Sequence, residues 1–245
     1  MKPIIFFDDG GVMNSDLLRG NQWKPLIADF MIGKFGGSHS HWMEANFKAV
    51  TKITKYFSEI ANSNPEHLSF TDGHAMECKL WVETMFAGSG LKLPPESNYL
   101  DLMHEADSYV IPKIKSSYPN IIETVRQLHK EGYVLNTASA GSETWLKQFL
   151  DSMGILYCFK TLYGSDIINT RKASLQYYNK IFEREKIDPK QTIIIDDKVN
   201  MLNRAKNLGA NVIQSCLDGQ IPEMEFFISD TKEIPNLIKK IEDKL

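Results

Sequence analysis

The sequence predicts a doubly wound, mostly parallel α/β sheet with an all-helical domain inserted after the first strand. Three observations support this fold class. The chain opens on a short apolar run that an acidic, glycine-rich segment ends at once, and a long stretch with helical spacing follows. Beyond Pro112, short apolar segments alternate with amphipathic ones. Strands that alternate with helices are typical of a parallel sheet covered by helices on both faces.

The opening run, residues 4–7, has the composition of a buried parallel strand. It combines β-branched and aromatic residues, and Asp8-Asp9-Gly10-Gly11 follows directly. Because aspartate and glycine favour turns, we predict that this first strand ends at Phe7 in an acidic loop.

The stretch from about residue 21 to residue 110 contains no convincing strand pattern. Apolar residues recur there at the spacing of an amphipathic helix, for example from Met43 to Phe57. The predicted domains are an inserted helical domain over residues 16–111 and an α/β core formed by residues 1–15 and 112–245.

The α/β rhythm after Pro112 predicts five helices and four further strands. Glycines and prolines separate the segments, and Ser142 has the character of a helix N-cap. The predicted strands cover residues 133–137, 192–195, 211–213 and 226–228. The predicted helices cover residues 121–130, 142–153, 175–186, 199–208 and 233–245.

The charge balance and cysteine content narrow the class of protein. The 245 residues carry 28 basic and 31 acidic side chains, which gives no electrostatic basis for binding nucleic acid or an anionic membrane. No apolar run approaches the ~20 residues that span a bilayer, and the first residues lack the apolar stretch of a signal peptide. Three widely spaced cysteines indicate reduced thiols and no zinc pattern. We therefore expect a cytoplasmic protein with neither nucleic-acid nor membrane partners.

The residues that can carry chemistry fall at the predicted strand ends. These residues are Asp8, Thr137, Ser139, Asp196 and Asp197, with Lys172 just ahead of a helix. The carboxyl ends of parallel strands meet at one edge of a sheet, so we expect these side chains to converge. Clustered carboxylates repel one another and need a cation, and their oxygen atoms suit Mg²⁺. A lysine and a hydroxyl would hold a phosphoryl group that a free carboxylate attacks.

Four patterns, in chain order, resemble the motifs of the haloacid dehalogenase (HAD) superfamily of phosphohydrolases. They are the acidic strand end at residues 6–12, the strand and hydroxyl at 133–139, Lys172, and the run 193–197 followed by Asn200, Ala205 and Gly209. The resemblance covers the chain outside the inserted helices. Those helices are similar to the cap domain of one large subgroup of the superfamily.

The resemblance implies a set of metal ligands around a nucleophile. Asp8 would be the nucleophile and a metal ligand, and the backbone carbonyl of Gly10 would be a second ligand. Asp196 would bind Mg²⁺ directly, and Asp197 would bind it through water. The implied activity is Mg²⁺-dependent hydrolysis of a small phosphorylated substrate through an aspartyl-phosphate intermediate.

The resemblance also implies how the phosphoryl group is held. Lys172 would neutralise the nucleophile and the phosphate oxygens. The hydroxyl of the second motif falls at Ser139, and Thr137 is the alternative because strand ends are uncertain by a residue or two.

One position departs from the family pattern. Typical phosphatases of the family carry a second aspartate where this chain has Gly10, and that aspartate protonates the leaving group. Three explanations stay open. In the first, the leaving group needs no proton, as in acyl phosphates. In the second, turnover is weak and the protein is a phosphate-binding regulator. In the third, another residue supplies the proton, and the candidates are Asp9 and the cap residues His39, His41 and Glu44.

Two other chemistries occur in relatives that lack an acid at this position. Dehalogenases carry tyrosine there and do not use the paired aspartates, so Asp196 and Asp197 argue against that reading. Phosphonatases carry alanine and use a cap lysine as a Schiff base. Carbon–phosphorus cleavage therefore remains an alternative, with three lysines to consider, Lys48, Lys52 and Lys55.

Overall fold

The computed structural model describes residues 2–63 and 69–245, and the chain divides into two compact units. The α/β unit comprises Met1–Asp16 and Ser116–Leu245, and the helical unit comprises Leu17–Lys115. Within its described residues, the helical unit contains helices and no strand. The role of this unit as a cap remains a prediction.

Among the described residues, six strands form one sheet, and every pair of neighbouring strands is parallel. The strands are β1 (Ile4–Phe7), β2 (Leu135–Ala138), β3 (Phe159–Tyr163), β4 (Thr192–Asp196), β5 (Asn211–Ser215) and β6 (Phe227–Ile228). Their order is β3-β2-β1-β4-β5-β6, so the winding direction reverses between β1 and β4. The predicted doubly wound parallel fold is confirmed, and ligands of such sheets bind at this reversal point.

Nine α-helices occur in the described part of the chain. They are α1 (Asp16–Phe35), α2 (His39–Ser63), α3 (Phe70–Phe86), α4 (Tyr99–Val110), α5 (Ile121–Lys130), α6 (Glu143–Ser152), α7 (Tyr177–Glu185), α8 (Val199–Asn207) and α9 (Ile234–Glu242). The start of α6 illustrates how local sequence sets a boundary. Ser142 precedes it, and the Ser142 hydroxyl accepts a hydrogen bond from the Trp145 N–H at 3.2 Å, as an N-cap does.

One strand was absent from the sequence prediction, and another was shifted. Strand β3 carries Lys160 and Thr161 in its first half and is buried only towards its end. Its sequence pattern therefore does not distinguish it from a loop. Strand β2 begins two residues later than predicted, at Leu135, because the Tyr133 N–H donates to the Leu128 carbonyl at the end of α5 at 3.1 Å and not to a neighbouring strand.

Two apolar layers hold the sheet between its helices. Side chains alternate along the strands, so Ile193 and Ile195 pack on the face of α5, α6 and α9, whereas Ile194 and Phe6 pack on the face of α7 and α8. The three isoleucines are at most 1% exposed. Burial of each contributes roughly 1.5–3 kcal/mol, which fixes β4 and the carboxylates at its end.

The helical unit has its own core, in which two tryptophans have polar partners. Trp42 is fully buried in α2 and donates from Nε1 to the Gly36 carbonyl at 2.8 Å. Trp81 of α3 donates from Nε1 to Asn46 Oδ1 of α2 at 3.1 Å. Both tryptophans are therefore packing residues of this unit, and their indole N–H groups are hydrogen-bonded. None of the helices in the described residues combines the length and apolar character needed to cross a membrane.

Candidate active site

Asp8 and Asp196 lie side by side because their strands are paired in register. Phe7 of β1 is the partner of Ile195 of β4, and each carboxylate belongs to the next residue along the chain. The Asp8 N–H donates to the Ile195 carbonyl at 2.9 Å and extends the pairing by one residue. Since side chains alternate along a strand, both carboxylates lie on the face that α7 and α8 cover.

Lys172 links these two carboxylates. Its Nζ lies 2.8 Å from Asp8 Oδ2 and 2.6 Å from Asp196 Oδ2, and all three side chains are buried. The segment that carries Lys172 precedes α7 and is tied to α8, because Arg204 Nη1 donates to the Ala173 carbonyl at 2.6 Å. The structure thus brings together three residues that the sequence assigns to one site.

Asp197 completes a cluster of three carboxylates. Asp8, Asp196 and Asp197 each offer an oxygen, and these oxygens lie within 4.8 Å of one another. Asp197 Oδ2 is also 2.5 Å from Lys198 Nζ. Three carboxylates therefore face two ammonium groups, which leaves one excess negative charge in a buried place. All the donors are oxygen atoms, so the cluster fits a hard divalent cation such as Mg²⁺.

Burial and the neighbouring charges together shift the pKa values of this cluster. Burial raises the pKa of Asp8 to about 7, Lys172 opposes this rise and Asp196 adds to it. Burial also raises the pKa of Asp197, against the effect of Lys198. Burial alone would lower the pKa of Lys172, but Asp196 and Asp8 together raise it well above its usual range. A cation among the carboxylates would stabilise their ionised forms.

The loop after β1 is held by contacts that the sequence reasoning missed. Asn14 Nδ2 donates to Asp9 Oδ1 at 2.7 Å, and the Gly11 N–H donates to the Asn14 carbonyl at 2.8 Å. Ser215 Oγ at the end of β5 donates to the Gly11 carbonyl at 2.6 Å. Asn14 carried a weak signal as a turn-favouring residue near two glycines, whereas Ser215 is close only in space. Gly10 lies in this loop, and its carbonyl as a metal ligand remains a prediction.

Gly11 allows the loop to approach Asp197. Its φ is +73°, and a Cβ at this position would lie 2.5 Å from Asp197 Cγ. Both the left-handed backbone and the lack of space therefore favour glycine.

Replacing Gly11 by alanine is expected to weaken Mg²⁺ binding about 10-fold or more, because the methyl group displaces a carboxylate of the cluster. The free energy of unfolding should fall by about 1–3 kcal/mol through backbone strain. The matched control is Gly219→Ala, since Gly219 has φ +82° with nothing within 4 Å of its Cβ position. Isothermal titration calorimetry and urea denaturation measure the two effects. Equal Mg²⁺ affinities of the two variants would contradict a Mg²⁺ site that includes Asp197.

Thr137 and Ser139 lie at the carboxyl end of β2, the neighbour of β1. Both are buried, and the Thr137 hydroxyl has no hydrogen-bond partner in the described part of the chain. Ser139 Oγ accepts from the Gly141 N–H at 3.3 Å. Among the described residues, none of their hydrogen bonds reaches Asp8, Lys172 or Asp196. Their phosphate-binding role therefore stays a prediction.

The predicted proton donors of the helical unit all have partners within that unit. His39 Nε2 lies 3.4 Å from Asp29 Oδ1, and His41 Nε2 lies 3.3 Å from the Met85 carbonyl. Glu44 is 2.6 Å from Lys48 Nζ. A surface groove of about 560 Å³ in this unit is lined by residues that include His41, Glu44, Lys48 and Lys52. Asp9, the other candidate donor, is buried and bound to Asn14.

Comparison with solved structures shows which fold this chain shares. A HAD-hydrolase from Bacillus subtilis bound to magnesium, YfnB, is 13% identical with a TM-score of 0.66, over 97% of this chain and 98% of that chain. A HAD phosphatase from Thermococcus onnurineus is 18% identical with a TM-score of 0.62, over 97% and 98%. L-2-haloacid dehalogenase from Xanthobacter autotrophicus, with chloropropionic acid covalently bound, is 15% identical with a TM-score of 0.63, over 98% and 99%. At such identities the likeness shows the fold alone.

Sequence comparison identifies the family. Phosphoglycolate phosphatase from Vibrio cholerae is 26% identical over 97 residues, which make up 40% of this chain and 43% of that protein. Phosphoglycolate phosphatase from Vibrio vulnificus is 27% identical over 97 residues, which make up 42% of that protein. The chain thus spans less than half the length of these curated relatives. The model of haloacid dehalogenase-like hydrolases matches residues 43–215, well over half of the chain. The chain therefore belongs to the haloacid dehalogenase-like hydrolase family.

Proposed function

We propose that this protein is a Mg²⁺-dependent phosphohydrolase that cleaves small phosphorylated substrates through an aspartyl-phosphate intermediate. The observation that carries this proposal is the ammonium group of Lys172 in contact with Asp8 and Asp196, beside the third carboxylate of Asp197. A nucleophile, a fixed positive charge and a cation site within one cluster are what transfer of a phosphoryl group requires.

Asp8 is the nucleophile in this proposal. It is the least buried carboxylate of the cluster, with 9% exposure against 0% for Asp196 and 6% for Asp197. Its Oδ1 accepts from the Asp9 N–H at 2.8 Å, and Lys172 contacts Oδ2, so the carboxylate is held in a fixed orientation. An oriented carboxylate reaches phosphorus with a smaller loss of entropy than a mobile one.

Mg²⁺ would be held by Asp8, Asp196, Asp197 and the carbonyl of Gly10, and it would neutralise negative charge on the carboxylates and the phosphoryl oxygens. Lys172 adds a second positive charge to the same oxygens, since its Nζ already lies 2.8 Å from Asp8 Oδ2.

Two hydroxyls and the helical unit have supporting roles in the proposal. Ser139 binds a phosphoryl oxygen, and Thr137, whose buried hydroxyl lacks a partner among the described residues, is the alternative. The helical domain over residues 16–111 acts as a cap that selects the substrate.

Phosphoglycolate is the first substrate to test. The curated relatives are named phosphoglycolate phosphatases, and the region of likeness covers 40% of this chain. The paired aspartates favour phosphoryl transfer over removal of a halide, because a cation site serves a dianionic phosphate. Localisation in the cytoplasm belongs to the same proposal.

A catalytically weakened phosphate-binding protein is the second candidate function, and Gly10 is the observation that favours it. Glycine supplies no acid at the position where phosphatases of the family carry aspartate. General acid–base assistance is worth roughly 10²–10⁴-fold in rate. Tight phosphate binding together with turnover near the uncatalysed rate would support this candidate.

Mg²⁺ removal is expected to abolish both hydrolysis of phosphate esters and a thermal stabilisation of the protein. At a concentration 100 times the Kd, Mg²⁺ should add about 2.7 kcal/mol, or a rise in Tm on the order of 5–10 °C. The variant Asp196→Asn should lose the rise, because it removes one buried ligand. The control Asp188→Asn should keep it, since Asp188 is exposed and precedes the amino end of β4. Differential scanning calorimetry with Mg²⁺ or EDTA measures the shift, and hydrolysis unaffected by EDTA would contradict the proposal.

A further inference from the structure

The space beside Gly10 is filled by another carboxylate. A Cβ built on Gly10 would lie 2.6 Å from Asp16 Oδ1 and 3.0 Å from Asp16 Oδ2. The Asp16 carboxylate therefore stands where a side chain at position 10 would stand. Asp16 is the first residue of α1, six positions further along the chain, so the sequence spacing gave no indication of this.

Asp16 differs from the other carboxylates at this edge of the sheet. Asp8, Asp9, Asp196 and Asp197 are buried, whereas Asp16 is exposed. Asp9 is bound to Asn14, and the three remaining buried carboxylates contact Lys172 or Lys198. Asp16 is thus the most exposed carboxylate of this group.

Two adjacent glycines connect Asp16 with the carboxylate cluster. A Cβ on Gly10 would lie 2.6 Å from Asp16 Oδ1, and a Cβ on Gly11 would lie 2.5 Å from Asp197 Cγ. This geometry places Asp16 beside the proposed site of phosphoryl transfer.

We propose that Asp16 is the proton-transfer residue of this protein and replaces the side chain that Gly10 lacks. The inference rests on the proposed function. In the first step, Asp8 Oδ attacks phosphorus, the bond from phosphorus to the leaving oxygen breaks, and Asp16 gives its proton to that oxygen, which departs as an alcohol. In the second step, Asp16 takes a proton from water as the water oxygen attacks phosphorus. The bond from phosphorus to Asp8 then breaks, and phosphate leaves.

The dependence of the rate on the leaving group tests this assignment. An alkyl phosphate such as phosphoglycolate needs a proton on its departing oxygen, whereas p-nitrophenyl phosphate releases a stabilised anion. In Asp16→Asn, kcat/KM should fall about 10²-fold or more for the alkyl ester and by less than about 5-fold for the aryl ester. Because the second step also loses its base, the aryl ester should give a burst of one p-nitrophenol per active site. The phosphorylated protein should then accumulate and be trapped by acid quench.

Gly10→Ala is the second variant, and it keeps Asp16 in the chain. Its methyl group would lie 2.6 Å from Asp16 Oδ1 and push the carboxylate aside, so it should reproduce the selective loss on the alkyl ester. The control Asp188→Asn removes an exposed carboxylate at the other end of β4 and should match the wild type on both esters.

The outcomes separate this inference from the proposed function. Suppose that the wild type hydrolyses both esters. If kcat/KM of Asp16→Asn then falls by the same factor on both esters, or on neither, the role of Asp16 is overturned and the proposed phosphohydrolase function stands. A wild type that hydrolyses neither ester with Mg²⁺ would overturn both. Selective loss in Asp16→Asn and Gly10→Ala, with a burst on the aryl ester, would support the assignment.

Discussion

Replacing Asp8 by asparagine is expected to lower turnover about 10⁴-fold or more without destabilising the fold, because an amide does not attack phosphorus and a buried charge is removed. Burial raises the pKa of Asp8 to about 7 in the absence of a cation. An aspartate in the unfolded chain titrates near 4, so the folded state binds this proton more tightly. The wild type without metal therefore loses stability as the pH rises through about 7, and the variant lacks this loss.

Two measurements check the separate parts of this expectation. Steady-state hydrolysis and acid-quench trapping of the phosphorylated protein report the nucleophile. Urea denaturation in EDTA at pH 5 and pH 8 reports the buried charge, and the stability of Asp8→Asn relative to the wild type should be higher at pH 8. The control Asp188→Asn should change neither quantity. Turnover within tenfold of the wild type would identify a different nucleophile.

The sequence predicted the members of the central cluster because they depend on topology. Asp8 and Asp196 follow apolar runs that end at the same edge of a parallel sheet, and register then places them side by side. Lys172 does not directly follow a strand. Its assignment to the site relied on the resemblance to the motif order of a known family. Its buried contact with both carboxylates gives that prediction a physical basis.

The sequence did not predict the residues whose position depends on loop geometry. Asp16 reaches the space beside Gly10 only because the loop after β1 turns back on itself, with the Met13 and Asn14 N–H groups donating to the Asp9 carbonyl. Such a turn depends on several weak contacts at once, and a single sequence does not show how they combine. Strand β3 was missed for a related reason, since the edge position of that strand permits polar residues.

Lys172→Met should be the most destabilising of these variants, because it leaves two buried carboxylates without their shared counter-ion. Lys172 is 6% exposed and contacts Asp8 and Asp196. Removing one partner of a buried ion pair costs about 3–5 kcal/mol, which corresponds to a fall in Tm on the order of 10 °C. Activity should be lost as well, since the phosphoryl oxygens lose a positive charge. The control Lys206→Met removes an exposed lysine of α8 and should change Tm by a degree or two at most.

The pH and Mg²⁺ dependence distinguishes an electrostatic cause from a loss of packing in Lys172→Met. Without the lysine, the pKa of Asp8 rises further in the folded state, so this carboxyl is protonated at pH 5 and the deficit in stability shrinks. At pH 8 the deficit is full, and Mg²⁺ should reduce it because the cation supplies the missing positive charge. A deficit of the same size at both pH values, with or without Mg²⁺, would show that Lys172 stabilises the fold through the packing of its aliphatic chain. Its charge would then have no part in holding the carboxylates together.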